Sequence, residues 1–185
     1  MRVTPERKAE TRERILASAL ALFRAHGVDA VGVDAIMHKA GFTHGGFYAH
    51  FESKEALVAE ASAASLARSA DKWEQVSQEA DAGAALRQIV DSYLDPAHVA
   101  MVERGCVLTT LGPDVARRRD VRPAISASIR RMINVLAACV PGRSRQRALQ
   151  ALTSMVGAVV LARLADDPAL ADEILAAARG TVDLP

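Results

Sequence analysis

The chain has 185 residues, half of them apolar, and a formal net charge of +1. This length and apolar content suffice for a buried core, as one domain or as a small domain beside a larger one. The charge does not by itself call for a nucleic-acid partner, so any contact with DNA depends on where individual Arg and Lys residues lie.

Cysteine usage and the N-terminus indicate the cellular compartment. Cys106 and Cys139 are the two cysteines, too few for a disulfide scaffold and without the spacing of metal ligands. The N-terminal stretch MRVTPERKAETRER is polar and has no apolar centre, so no signal peptide is expected. We therefore predict a cytoplasmic protein with no metal site and no cofactor.

The apolar pattern predicts an all-α protein, because alanine is abundant and glycine and proline are scarce inside the periodic segments. The first helix is expected to begin after Thr4, with Pro5 at its first position, and to stop at His26–Gly27. A second helix is expected over about 33–40. Its inward face is formed by Ile36, Met37 and Ala40.

The stretch GFTHGGFYAHFESK, residues 41–54, predicts a helix-turn-helix. Gly41 opens a tight turn, and Thr43 is expected to cap a short helix from His44 to His50. Ser53 is expected to cap the helix that follows. The second helix of such a pair fits a DNA major groove.

The short helix has one apolar face. Phe47 and Phe51 lie four residues apart and are expected to face inward. The side chains left to project elsewhere are His44, Tyr48 and His50. The alternative interpretation is an amphipathic connector with a glycine turn and no partner.

This segment resembles the DNA-binding signature of the TetR family of bacterial repressors. The shared parts are Gly41, Thr43, Gly45, Phe47–Tyr48, His50–Phe51 and Ser53–Lys54. The resemblance holds in detail over about residues 11–60, and beyond them only the length and the helical pattern agree. It implies a three-helix DNA-binding unit, residues 1–52, joined by a long helix to a larger helical domain, residues 53–185, which binds an effector and dimerises.

The resemblance also implies which residues contact DNA. In the family this short helix reads bases, while the positions of Tyr48 and Lys54 commonly hold phosphates. The implied contact set is Thr43, His44, Gly45, Gly46, Tyr48, His50 and Lys54. Because His and Gly offer few strong base contacts, specificity is expected to depend partly on close approach and DNA shape. One departure is that Val31 and Gly32 stand where the family usually has Thr or Ser.

The remaining chain is expected to be helical. The predicted helices run from Ser53 to about 77, over 84–94 after a break at Gly83, over 98–104, from Pro123 to about 139, over 144–165, and onward from Asp167–Pro168. The segment GPDVARRRDVRP is expected to be a solvated loop. A nucleic-acid patch formed by its arginines is the alternative.

The family's larger domain usually encloses an effector pocket. The candidates here are Trp73, Met101, Cys106, Leu108, Met132 and Met155. Core packing is the alternative for each of them. A further hypothesis concerns Cys106, since in a few relatives a Gly-Cys thiol at a similar place senses oxidants or electrophiles. The alternative for Cys106 is a small buried apolar group.

The last two predicted helices indicate a dimer interface. Both are rich in small apolar residues that can pack against a second copy, which gives a twofold homodimer. Such a dimer would place two short helices in successive major grooves of a palindromic operator. The apolar part of 144–165, between Arg147 and Arg163, is too short for a membrane span. The alternative to a dimer interface is that both helices are buried within one subunit.

The resemblance implies a repressor that a small-molecule effector releases from DNA. Two other classes of function compete with that interpretation. The chain has no Gly-rich phosphate loop, no His-Glu pair with zinc spacing and no nucleophile elbow, so we predict that it is not an enzyme. A helical protein-interaction module without DNA binding is the stronger rival. If the protein is such a module, it should show no salt-dependent binding to DNA.

Overall fold

The computed structural model describes residues 4–182, and over these residues the chain forms helices and no strand. The all-α prediction is confirmed. The N-terminal elements are α1 (Pro5–His26), α2 (Val33–Ala40), a 3₁₀ helix (His44–Ala49) and α3 (Lys54–Glu79). We call the 3₁₀ helix His44–Ala49 the presented helix. The predicted boundaries at residues 1 and 185 lie outside the described residues.

The larger part of the chain adds further α-helices and two short 3₁₀ segments. The α-helices are α4 (Ala82–Tyr93), α5 (Pro96–Ala100), α6 (Val107–Thr110), α7 (Gly112–Ala116), α8 (Arg122–Cys139), α9 (Arg145–Leu164) and α10 (Pro168–Val182). The 3₁₀ segments are Val102–Arg104 and Pro141–Arg143. α8 packs against α3 and α9, and α9 packs against α10.

Local capping explains where the first helices begin and end. The Thr4 hydroxyl accepts a hydrogen bond from the Arg7 N–H at 3.4 Å, and Pro5 opens α1. Gly27 ends α1 with a φ of 78°, which costs glycine little. The Ser53 hydroxyl accepts from the Ala56 N–H at 3.0 Å and begins α3. The predicted caps at these three helix ends are confirmed.

An aromatic core holds the N-terminal helices together. Phe23 and Phe47 are fully buried, together with Ile36 of α2. The rings of Phe47 and Phe51 lie 5.7 Å apart, and the Arg12 guanidinium stacks 4.2 Å from the Phe51 ring. Aromatic side chains bury large apolar areas, so this small unit gains much of its stability from few residues.

α3 joins this core to the larger one. Leu57 and Val58 are buried near its start, and Leu66 and Trp73 are buried farther along. The helix is continuous between them and contacts both α1 and α8. The predicted long connecting helix is therefore confirmed.

The prediction of a break at Gly83 is wrong. Gly83 lies inside α4, and the chain turns earlier, at Ala80, where α3 ends. The Asp81 carboxylate accepts a hydrogen bond from the Ala84 N–H at 2.9 Å and caps α4. The Asp81 cap sets the start of α4, because its carboxylate accepts from an amide of the first turn. Glycine has no side chain that could accept this hydrogen bond.

The prediction of a solvated loop at GPDVARRRDVRP is also wrong. Part of this segment is helical as α7, and the Arg118 side chain is mostly buried. Arg118 pairs with Asp29, which precedes α2, and donates from Nε to Glu55 of α3 at 3.0 Å. Both acids are far away in sequence, so the pattern of the segment itself gave no indication of this contact.

α9 is apolar and long. Among the described helices, it is the one whose length and composition would allow a membrane span. Its buried residues pack into the protein core, and they are Ala148, Ala151, Leu152, Met155, Ala158, Val159 and Ala162. A core helix satisfies the same length and composition test. The packing explains the apolar residues of α9 along this face.

Candidate DNA-binding surface

A glycine turn sets the direction of the presented helix. Gly41 adopts a left-handed conformation, with φ 78° and ψ 32°, and ends α2. The Phe42 N–H donates to the Met37 carbonyl at 2.8 Å, as in a Schellman closure. A Cβ at position 41 would lie 3.0 Å from the Arg14 guanidinium. Sterics and backbone conformation therefore both favour glycine at this turn.

The presented helix turns one aromatic face inward and leaves the other face open. Phe47 is fully buried, whereas the Tyr48 side chain is 65% exposed and packs edge-on against Phe47, with 5.2 Å between ring centroids. A Cβ added at Gly45 would meet nothing within 4 Å. The open face thus combines small residues with one exposed aromatic ring.

Thr43 occupies the position before the presented helix but does not cap it through its side chain. Its hydroxyl makes no capping hydrogen bond, so the predicted cap bond is wrong. A capping hydroxyl would accept a hydrogen bond from the Gly46 N–H. That N–H donates instead to the Thr43 carbonyl at 3.1 Å. The 3₁₀ geometry makes this contact, and the exposed Thr43 hydroxyl is left for other partners.

His44 is held by an acid that the sequence pattern did not single out. Its Nδ1 lies 2.5 Å from a carboxylate oxygen of Asp34, and both side chains are substantially exposed. Asp34 belongs to the first turn of α2. The sequence does show an acid in the first turn of a predicted helix. An acid at that place is equally explained by its favourable interaction with the helix dipole, so it did not indicate a contact with His44.

His50 directly follows the presented helix and Lys54 begins α3, and both are half-buried. The His50 Nδ1 is buried without a hydrogen-bond partner, and its carbonyl accepts from Arg12. Arg12 also donates from Nε to Glu60 of α3 at 2.9 Å. Burial, followed by the charges of Lys8 and Arg12, lowers the pKa of His50, so its ring is neutral at pH 7. This network fixes the presented helix against α3.

Comparison with known proteins identifies the family of this N-terminal unit. Residues 15–61 match the family described as bacterial regulatory proteins, tetR family. These residues thus carry the DNA-binding signature that the family model describes. The matched segment contains the glycine turn, the presented helix and the start of α3.

Curated relatives, named as HTH-type transcriptional regulators, match over the same N-terminal part. The HTH-type transcriptional regulator YerO of Bacillus subtilis is 33% identical over 70 residues, which is 38% of this chain and 24% of YerO. SrpR of Pseudomonas putida, also an HTH-type transcriptional regulator, is 45% identical over 53 residues, which is 29% of this chain and 25% of SrpR. The match thus spans about a quarter of the length of these relatives.

The likeness of fold to a solved structure extends over the rest of the chain. The reduced form of E. coli NemR superposes with a TM-score of 0.80 at 21% identity, covering 94% of this chain and 95% of NemR. This likeness shows the shared helical architecture, including the larger C-terminal part.

The larger part of the chain contains a cavity of about 360 Å³ beside the end of α1. Its walls come from α1, α3, α4, α5 and the segment Arg104–Cys106. Two of the predicted effector residues, Trp73 and Cys106, line it. Because α1 belongs to the N-terminal unit, the cavity lies at the junction between the two parts of the chain.

The other four predicted effector residues lie elsewhere. Met101 is 49% exposed, and Met132 and Met155 are fully buried in the core. Leu108 lines a separate apolar cleft of about 220 Å³ with Val107 and neighbours from α7 and α8. The sequence pattern missed most residues of the cavity beside α1 because they are polar, whereas the pattern pointed to apolar groups.

His98 shapes one wall of the cavity beside α1. Its Nδ1 donates to the Tyr93 carbonyl at 2.5 Å, and its Nε2 accepts from the Cys106 N–H at 3.2 Å. Burial lowers the pKa of His98, which agrees with a neutral ring that uses one nitrogen as donor and the other as acceptor. Cys106 itself is buried, as a small apolar group would be. Thiol sensing by Cys106 stays a prediction.

Proposed function

We propose that this protein is a cytoplasmic DNA-binding transcriptional repressor. It binds a palindromic operator as a homodimer through residues 1–52, and an effector bound by residues 53–185 releases it. The observation that carries the proposal is the presented helix, which offers an open face in a TetR-type N-terminal domain.

Contacts to DNA would follow from the geometry of this face. Tyr48 is exposed, and the absence of a side chain at Gly45 allows the backbone to approach a groove closely. Lys54 begins α3, where its ammonium group can reach a phosphate beside the amides of the first turn. The expected readout combines phosphate contacts with close backbone approach.

Exposed apolar residues on α9 support the homodimer. Leu161 and Leu164 are prominently exposed, and Val160 lies beside them. Gly157 lies on the same helix, and its added Cβ would meet open space. Apolar side chains on a helix whose opposite face is already buried favour pairing with a second copy, since a twofold interface is self-complementary.

The DNA-binding part is tested with inverted repeats near the chain's own gene. Gel shifts at rising salt should show affinity falling steeply, because phosphate contacts release counterions. Lys54→Ala should weaken binding uniformly across operator variants, and Arg130→Ala, an exposed position on α8, should leave it unchanged. If the protein binds no inverted repeat at any salt concentration, the result supports the protein-interaction module instead.

The homodimer is tested by sedimentation of the Leu161→Glu/Leu164→Glu variant. Two charges on the exposed stripe of α9 should convert the dimer into a folded monomer and weaken operator binding. Met101→Glu places a charge on an exposed apolar residue outside α9 and is the matched control. A variant that stays dimeric would remove α9 from the interface.

A further inference from the structure

The cavity beside α1 is lined by cations and hydroxyl groups. Its basic residues are Arg24, Arg68, Lys72 and Arg104, and its hydroxyl residues are Ser65, Ser69, Ser92 and Tyr93. No acidic side chain occurs among the described residues that line it. A concave surface with one sign of charge concentrates ligands of the opposite sign, so the electrostatics favour an anion.

Two polar atoms in these walls lack partners. The Tyr93 hydroxyl is buried and makes no well-formed hydrogen bond, since its polar neighbour is the Cys106 thiol, a weak partner. The Arg24 Nε is also buried and has no hydrogen-bond partner. Burial lowers the pKa of Arg24 to about 10, so the guanidinium remains charged at pH 7. Both atoms are donors, and buried donors without acceptors are rare.

The cavity also has an aromatic wall. The Trp73 and Tyr93 rings meet edge to face, with centroids 5.8 Å apart, and both side chains are buried. A volume of about 360 Å³ lies at the small end of the range for ligand pockets. Such a cavity suits a molecule with one charged group and a compact apolar body.

We propose that this cavity binds a small organic anion, a carboxylate or phosphate carried on a compact aromatic or apolar body. The anionic oxygens accept hydrogen bonds from the Tyr93 hydroxyl and the Arg24 Nε, and Lys72 and Arg68 at the rim complete the charge pairing. The body of the ligand packs against Trp73.

The position of Arg24 connects this ligand to the DNA-binding unit. Arg24 lies near the end of α1 and donates to the Ser65 hydroxyl at 2.7 Å and to the Glu103 carbonyl at 3.1 Å. An anion at the Arg24 Nε binds the same guanidinium whose two Nη atoms hold Glu103 and Ser65, so it can change how α1 is held against α3. The regulatory part of this inference rests on the proposed repressor function. It requires that the anion bind the released arrangement more tightly than the DNA-bound one.

Trp73 provides the binding measurement, since it is the single tryptophan of the chain. The full-length protein is titrated with sodium benzoate and with phenyl phosphate, and Trp73 emission is recorded against sodium chloride of equal ionic strength. Benzamide is the neutral match for benzoate. Both anions should give saturable changes, with benzamide at least about tenfold weaker, as expected for loss of a charge-assisted hydrogen bond. Equal binding of benzamide, or a flat titration with both anions, overturns the proposal.

The Tyr93→Phe variant separates binding from folding. Because the Tyr93 hydroxyl has only the weakly polar Cys106 thiol beside it, removing it should change the melting temperature little while anion binding weakens about tenfold. Tyr48→Phe is the matched control on an exposed tyrosine. A Tyr93→Phe variant that binds benzoate as wild type does overturns the assignment of the hydroxyl.

The charge contribution is tested at the exposed rim, where folding is least at risk. Lys72→Gln should weaken benzoate binding, and Arg130→Gln on α8 should not. If the two variants bind benzoate equally tightly, the positive charge at the rim has no role in anion binding.

Operator binding is then measured with and without saturating benzoate. Weakened operator binding supports regulation, and unchanged operator binding overturns it. If benzoate binds a protein that retains no DNA, the repressor proposal fails and the cavity assignment stands. If DNA binds but the titrations are flat, only the cavity assignment fails.

Discussion

The presented helix and the cavity beside α1 differ in how their residues come together. The open face of the presented helix comes from residues close in sequence, and its key position, Gly45, offers space rather than a chemical group. The cavity draws on residues from position 20 to position 106, and its walls offer charged and hydroxyl groups. The proposed DNA surface thus arises from one short segment, whereas the proposed small-molecule site requires several elements to converge.

This difference teaches where substitutions separate function from stability. On the presented helix, an added side chain meets solvent, so DNA binding can be lost without unfolding. Around the cavity, side chains also hold the two parts of the chain together, as Arg24 does through Ser65. Substitutions there are expected to change stability and ligand response together, except at atoms that have no partner.

The largest expected effect comes from Gly45→Leu. The new side chain fills the space needed for close approach, so operator affinity should fall by about 100-fold, or roughly 2.7 kcal/mol. The free energy of unfolding should change by less than about 0.5 kcal/mol, because the added Cβ meets nothing in the free protein. Gel shifts and urea unfolding measure the two quantities. Gly112→Leu, also at an open position, is the control and should retain operator affinity.

Gly105→Ala should destabilise the protein by about 1–3 kcal/mol, as overpacking does. Its Cβ would lie 2.5 Å from the Arg163 guanidinium and 3.3 Å from the Met101 carbonyl. Arg163 cannot move without breaking its hydrogen bonds to the Val99 carbonyl, at 3.0 Å, and to the Thr109 hydroxyl, at 2.9 Å. Urea unfolding checks this, with Gly112→Ala as control. Equal stability of the two variants would mean that Arg163 is more mobile than its contacts indicate.

Stability should fall with acid in part through His98. Because burial lowers its pKa in the folded state, the unfolded chain takes up the proton first. The stabilising contribution is complete above the unfolded pKa of about 6.5 and is lost as pH falls below it. His98→Gln keeps an acceptor near the Cys106 N–H and should flatten the dependence of unfolding free energy on pH between about 7 and 5. A residual slope is expected from His50, whose pKa is also lowered by burial. An unchanged slope in His98→Gln would contradict the neutral assignment.

The smallest expected effect comes from Arg118→Ala. This removes the contacts with Asp29 and Glu55 that join the α7–α8 segment to the N-terminal unit. Both acids are largely exposed, so solvent screening limits the loss to about 0.5–1 kcal/mol. High salt should reduce the difference from wild type. Arg119→Ala, at an exposed neighbour, is the control for urea unfolding. A loss equal to that of the control would show that the pairs contribute nothing net.

Much of the N-terminal unit could be predicted from the sequence because its signals are local. Thr4 and Ser53 cap their own helices, and Gly41 closes a turn that only a few neighbouring residues define. The inward position of Phe47 follows from helical spacing. The exception is the Thr43 cap, which failed because the presented helix is 3₁₀ and its backbone already satisfies the amide.

By itself, the sequence determined the helical class, the ends of the capped helices and the segment that presents an open face, since capping and periodicity act over a few residues. Tertiary structure alone decided that Arg118 joins Asp29 and that the Tyr93 hydroxyl and Arg24 meet in one cavity. These groups lie tens of residues apart, so only helix packing brings them together. Their side chains are polar, and a search for apolar periodicity does not find polar groups that become buried when distant helices meet.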